Sequence, residues 1–113
     1  MGVALVPIVD GMLEEWKQDM RLLEGEHAQD MRELNARHGL TSHRAYLSQM
    51  PDGSSWVVAV HEGPGADTFL QTIVESQHSF DKWFKDHIGR VHGINMDEPI
   101  AAPMPELMLD TGQ

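Results

Sequence analysis

Residues 40–62 read LTSHRAYLSQMPDGSSWVVAVHE. Pro51-Asp52-Gly53 is turn chemistry: a type I turn closed by a glycine bulge, joining two segments of strand length. In the first, Leu40 to Met50, polarity is mixed on both faces. Ser42, Arg44, Tyr46 and Ser48 point one way, and His43, Ala45, Leu47 and Gln49 the other. That pattern predicts an edge strand. The second, Ser55 to Glu62, is apolar on both faces and predicts a central strand. The turn sets Met50 opposite Ser54. Counting outward, Leu47 meets Val57, Ala45 meets Ala59 and His43 meets His61.

Upstream, Gly2 to Val9 is a short apolar run ended by Asp10-Gly11, with both faces apolar and hence again a central strand, although Pro7 removes one ladder donor. Met12 to about Arg37 has helical periodicity. Its stripe is Leu13, Trp16, Met20, Leu23, His27, Met31, Leu34 and His38. Glu14, Glu15, Lys17, Asp19, Arg21 and Glu24 fall in the solvated set. One helix here would run about 39 Å. Gly25 sits mid-pattern and predicts a kink or break. Gly39 is a natural C-terminal stop.

Downstream, Gly63-Pro64-Gly65 breaks the chain. Ala66 to Glu75 reads as a short helix and Ser79 to about Val91 as a second, ended by His92-Gly93. From Asn95 the tail is Pro-rich, with Pro99, Pro103 and Pro105. Glu106 to Asp110 (ELMLD) reads as a last strand, and Met104, Leu107, Met108 and Leu109 as strand or packing surface.

The order is β-α-β-β-α-β, the split βαβ pattern of a ferredoxin-like α+β fold. It implies one domain over residues 1–113, with a four-stranded antiparallel sheet and helices on one face. The central strands are apolar on both faces, so something must cover the second one. Either the tail does so or, the favoured reading, a second copy of the sheet, closing a dimeric barrel.

This architecture resembles the dimeric α+β barrel superfamily: small antibiotic-biosynthesis monooxygenases, polyketide cyclases, muconolactone-isomerase-like proteins and heme-degrading monooxygenases, and within it a bacterial family without assigned function. ALVPIVDGMLEEWK (Ala4 to Lys17) resembles the strand–glycine–helix opening of these domains. ESQHSFDKWFKDHIGRVH (Glu75 to His92) resembles the second-helix segment of heme-degrading members. There a Ser-Phe pair and an aromatic precede an axial histidine; Ser79, Phe80, Trp83 and His92 match in kind, with the step to His92 one residue shorter. The resemblance implies a homodimer with a pocket in each half, and heme as a cofactor in one branch. The superfamily hosts many chemistries, so fold alone does not select one.

Composition narrows the classes. In 113 residues there are 8 Lys+Arg against 18 Asp+Glu, a formal net charge of -10. So acidic a chain repels phosphate backbones and argues against nucleic-acid binding. It has no Cys, which removes disulfides, thiol nucleophiles and Cys-ligated metals. No apolar run has the length of a membrane span, and the N-terminal segment lacks a signal peptide's basic region. Val6 stands where a myristoylation signal has Ser or Thr. A cytoplasmic protein is the expectation.

The candidate site residues are mostly histidines, of which the chain has 7. His43 and His61, cross-strand neighbours beside two alanines, could bind a metal or act as acid and base near neutral pH. His87 is a candidate base, with Trp83 and Phe84 as apolar walls, and His92 a candidate axial heme ligand. Arg44 and Tyr46 would clamp a carboxylate or phenolate, and Trp56 would contact substrate or join the core. Glu24 and His27 form one Glu-x-x-His, but a di-iron site needs a second copy and two further Glu, so no metal site is expected. There is no phosphate-cradling glycine loop and no nucleophile elbow. Three functions fit. One is an enzyme that cyclises, isomerises or oxidises a small aromatic or polyketide-like metabolite without an obligatory cofactor. Another is a heme-binding or heme-degrading protein. The third is a non-catalytic dimer that binds a ligand or a protein.

Overall fold

The computed structural model describes residues 1–100 and 105–112. Three antiparallel strands, β1 (Gly2–Pro7), β2 (Ser42–Gln49) and β3 (Ser55–Glu62), form a sheet in the order β1-β3-β2. The helices are α1 (Leu13–Glu24), α2 (Ala28–Arg37), α3 (Phe69–Glu75, preceded by a 3₁₀ turn at Ala66–Thr68) and α4 (Ser79–His92). The class is α+β and is compatible with a ferredoxin-like arrangement.

The hairpin forms in the expected register. His43 pairs with His61, Ala45 with Ala59 and Leu47 with Val57. Met50 N–H donates to Ser54 O at 2.8 Å, and Gly53 turns the chain at φ +89°, where a side chain would be strained. Asp52 Oδ1 accepts from Ser54 N–H at 2.9 Å and fixes the exit of the turn.

One expectation is met and two are corrected. The long helical pattern breaks at Gly25 into two helices. α1 stops at Gly25, the chain turns through Glu26 and His27, and Ala28 begins α2. The cost of glycine in a helix interior, with no buried partner to offset it at an exposed position, ends the helix there. Second, β3 is central, but β1 lies at the sheet edge among the described residues, with Pro7 as its last residue. An edge tolerates the missing proline donor. Third, Glu106 to Asp110 carries no strand, and Leu107, Met108 and Leu109 are 76%, 82% and 78% exposed. A strand exists only where a neighbour takes its hydrogen bonds, and Pro105 removes one donor. This stretch therefore does not cover the sheet; Met104 lies outside the described residues.

Two apolar clusters form the core. One joins Leu34, Leu40, Phe69, Ile73, Phe80 and Phe84 from the helical side. The other joins Val6, Ile8, Trp16, Val57 and Val91 at the sheet. On the opposite sheet face stand Val3, Leu5, Tyr46, Val58 and Val60, with Leu5 41% and Tyr46 54% exposed.

A buried carboxylate ties the helices together. Asp81, fully buried on α4, accepts from Arg37 Nη2 at 2.5 Å, His38 Nε2 at 2.8 Å and Ser76 Oγ at 2.6 Å. Burial alone would raise its pKa; the three donors and the Arg37 charge prevail and hold it at about 2. The crossing of Gly39 and Gly65 completes this corner. Gly65 N–H donates to Gly39 O at 2.9 Å, and a Cβ at Gly65 would collide with the His38 carbonyl. Gly63-Pro64-Gly65 is thus a close backbone approach as well as a chain break.

Candidate functional site

Strand alternation puts Gly2, Ala4 and Val6 of β1, His61, Ala59 and Val57 of β3, and His43, Ala45 and Leu47 of β2 on the helix-facing side. They stack as three cross-strand rows. The middle row is Ala4-Ala59-Ala45. Three methyl groups cannot reach the helices opposite, and a cavity of about 500 Å³ remains above them. Trp16, Met20, Phe69, Phe84, Ile88 and Met96 supply its apolar walls. Both core clusters contribute, so the cavity lies where they meet.

Four of the seven histidines line it. From the sheet, the His43 and His61 rings stand 4.5 Å apart at 85°. Phe69 packs against both, at 5.5 Å and 4.7 Å. From α4, the His87 and His92 rings stand 6.0 Å apart at 84°. Phe84 lies between the two pairs, 5.8 Å from His43 and 5.9 Å from His87.

The histidines differ in what holds them. His87 Nδ1–H donates to Asp19 Oδ2 at 2.6 Å, with both residues buried. That fixes the tautomer and leaves Nε2 for a ligand. Arg90 in turn holds Asp19 Oδ2 at 3.4 Å while also pairing with Glu15 and Asp86. Burial lowers the His87 pKa, and the Asp19 hydrogen bond and charge act against it. His92 Nδ1–H donates to Pro7 O at 2.7 Å, so its Nε2 is likewise the free nitrogen. Its pKa is lowered to about 4 by burial, against the opposing Pro7 carbonyl, with the neighbouring His87 adding a smaller lowering. His43 falls to about 3 by burial and the nearby His61, and His61 falls by burial. His43 Nδ1 is buried without a hydrogen-bond partner in the described structure. At neutral pH the cavity therefore presents neutral imidazoles in apolar surroundings.

Arg44, Tyr46 and Trp56 do not share this cavity. Alternation places them on the opposite sheet face, where Arg44 pairs with Glu62 at 3.2 Å and Trp56 Nε1–H donates to Ser54 Oγ at 3.1 Å. Phe84 lines the cavity. Trp83 stands behind His87, stacked on it at 6.0 Å and 5°. His27 packs on Trp83 at 5.0 Å and bonds Asp30 at 3.1 Å, a satisfied, partly buried side chain.

Sequence reasoning missed Asp19, placing it in solvent. It is 6% exposed. The signal was present: Asp19 lies three residues after Trp16 and four before Leu23, in phase with the apolar stripe. Lys17 and Arg21, also assigned to solvent, line the cavity. Among the described residues no group of three or more His, Asp or Glu is placed to hold a metal ion. The His92 donor set does suit an axial heme ligand, with an anchored ring and a free Nε2. Among the described residues no helix is long and apolar enough to cross a membrane.

No protein-family model matches the chain, and no curated protein is significantly similar to it. Fold and site together define an α+β domain with a histidine-lined apolar cavity between sheet and helices.

Stability is expected to be acid-sensitive well above the carboxylate range. His43 and His92 carry folded-state values near 3 and 4 against about 6.5 when unfolded, so the unfolded chain takes up their protons first. Their contribution is intact above pH 6.5 and declines as pH falls toward 4 and 3. At pH 5 it costs roughly 1 to 2 kcal/mol per residue. Asp81, depressed to about 2, adds a loss between about pH 4 and 2. Urea midpoints at pH 7.5, 6 and 5 should fall monotonically; a flat midpoint over that range would contradict neutral burial of these imidazoles.

Proposed function

We propose that the protein is a small-molecule enzyme that moves a proton on an enolisable, aromatic or polyketide-like metabolite held in the cavity, with His87 as general base. The Asp19–His87 contact carries this reading. A buried carboxylate at 2.6 Å from Nδ1 orients the ring and stabilises the imidazolium formed when Nε2 accepts a proton. His43 and His61, neutral and buried, each offer an N–H to the oxygen on which negative charge develops. In a water-poor cavity such donors are worth more than in solvent.

The chemistry is one step with several outcomes. His87 Nε2 takes the proton from carbon, and the electron pair moves onto the adjacent carbonyl oxygen. Return of the proton to another carbon is isomerisation. Attack of the carbanion on a second carbonyl is cyclisation. Transfer of its electrons to dioxygen is cofactor-independent oxidation.

Deuterium exchange tests this directly. In D₂O the protein is expected to accelerate exchange at the carbon next to the carbonyl of aromatic ketones such as 1-indanone, followed by NMR. His87→Gln should slow it about 100-fold and Asp19→Asn by a comparable order. Exchange no faster than in buffer, or unaffected by His87→Gln, would overturn the assignment.

A second reading has His92 as an axial heme ligand, favoured by its anchored tautomer. Hemin titration would then give a Soret band that His92→Ala removes; no band at stoichiometric hemin sinks it.

The assembly proposed is a homodimer through the open sheet face. That face is largely apolar, and its Arg44–Glu62 pair cancels in charge. In a chain of net charge -10, two copies can meet there without strong repulsion. Light scattering should give twice the 12.7 kDa chain mass, and Leu5→Glu with Tyr46→Glu should halve it. A wild-type monomer would refute the dimer.

A further inference from the structure

The chain has only 8 Lys+Arg, and most are committed to partners. Arg37 serves Asp81, Arg44 serves Glu62, and Arg90 serves Glu15, Asp19 and Asp86. Arg32 bonds Gln29, and Lys85 bonds the Val74 and Ser76 carbonyls. Lys82 and Arg21 have no side-chain hydrogen bond or ion pair to any described residue, and of the two only Arg21 lines the cavity. Lys17, one turn earlier on α1, also lines the cavity; its contact is Glu14 at 3.7 Å, a long pair whose carboxylate side chain is 83% exposed. Glu24 stands at the same wall, so these three ionic side chains sum to a single positive charge.

A local positive excess in a chain of net charge -10 runs against the general surface. An apolar ligand alone gives no use for it. A guanidinium without a partner among the described residues, beside an apolar chamber, is suited to a carboxylate, which it can hold through two parallel hydrogen bonds. We propose that the cavity takes an amphipathic carboxylic acid, its apolar or aromatic body over the alanine row and its carboxylate on Arg21 and Lys17. This rests on the reading of the cavity as a small-molecule site and names the substrate class for it. The charged end anchors the molecule at α1, and the body extends toward the histidine pairs.

The cations are partly exposed, so the expected preference is modest and salt-dependent. Two isosteric probes isolate the charge: 4-phenylbutanoate and 4-phenylbutanamide, compared by calorimetry and by the tryptophan indole N–H signals, since Trp16 is a wall. The wild type should bind the acid roughly five- to tenfold tighter than the amide at low salt. The preference should shrink at about 0.5 M salt. Arg21→Gln with Lys17→Gln should abolish it while leaving amide binding unchanged. Neither side chain supports the core, so the variant is expected to fold, and an unchanged urea midpoint verifies that. Equal binding of acid and amide, or a preference that survives the double substitution, overturns the carboxylate assignment and leaves the cavity reading standing. Binding of neither probe overturns both.

Discussion

Alternation of side chains along three paired strands is the constraint on which this molecule depends. Because the period is two, one register assigns every residue of the sheet to a face at once. The pairing of Ala45 with Ala59, and of Ala59 with Ala4, brings three short side chains into one row. The same register brings His43 to His61 one row away. A slip of β2 by one residue would send His43 to the opposite face, away from His61, and bring Arg44 and Tyr46 under the helices. Cavity, histidine pair and open apolar face are therefore one choice made in the hairpin.

The helices obey a different constraint, imposed by buried carboxylates. Asp81 gathers donors from the end of α2 and from the link before α4, and Asp19 joins α1 to α4 through His87 and Arg90. A buried carboxylate without its donors is costly, so each contact resists sliding of one helix along another. The two differ in what they serve. Asp81 spends its oxygens on the scaffold. Asp19 holds a histidine whose other nitrogen remains available, which is how a structural ion pair becomes an orienting one.

Much of this was legible in the sequence. The Pro-Asp-Gly turn has few geometries, so the hairpin register and the His43–His61 contact followed from counting. The break at Gly25 followed from helix propensity. Asp19 was less legible because a carboxylate in an apolar stripe resembles a solvated residue until its partner is known, and His87 lies 68 positions away. Asp81 was hidden for the same reason, its partner Arg37 being 44 positions distant. The strand at Glu106 to Asp110 was over-read. Apolar content marks what a segment can bury, while strand formation requires a neighbour, and no local pattern reports that. Arg44, Tyr46 and Trp56 carried suitable chemistry but the wrong parity relative to His43.

The alanine row has a meaning beyond leaving space. Its three positions belong to three different strands, and their side chains take no part in the ladder hydrogen bonds that set the register. Volume above the sheet can thus be altered at one strand without moving the histidines one row away. A ligand that gains or loses contact with one methylene changes its binding by about 0.8 kcal/mol, about fourfold in affinity. Ala4, Ala45 and Ala59 are in effect three separate adjustments of cavity shape. Under the proposed function, selectivity could then drift in small steps while the chemistry stays fixed.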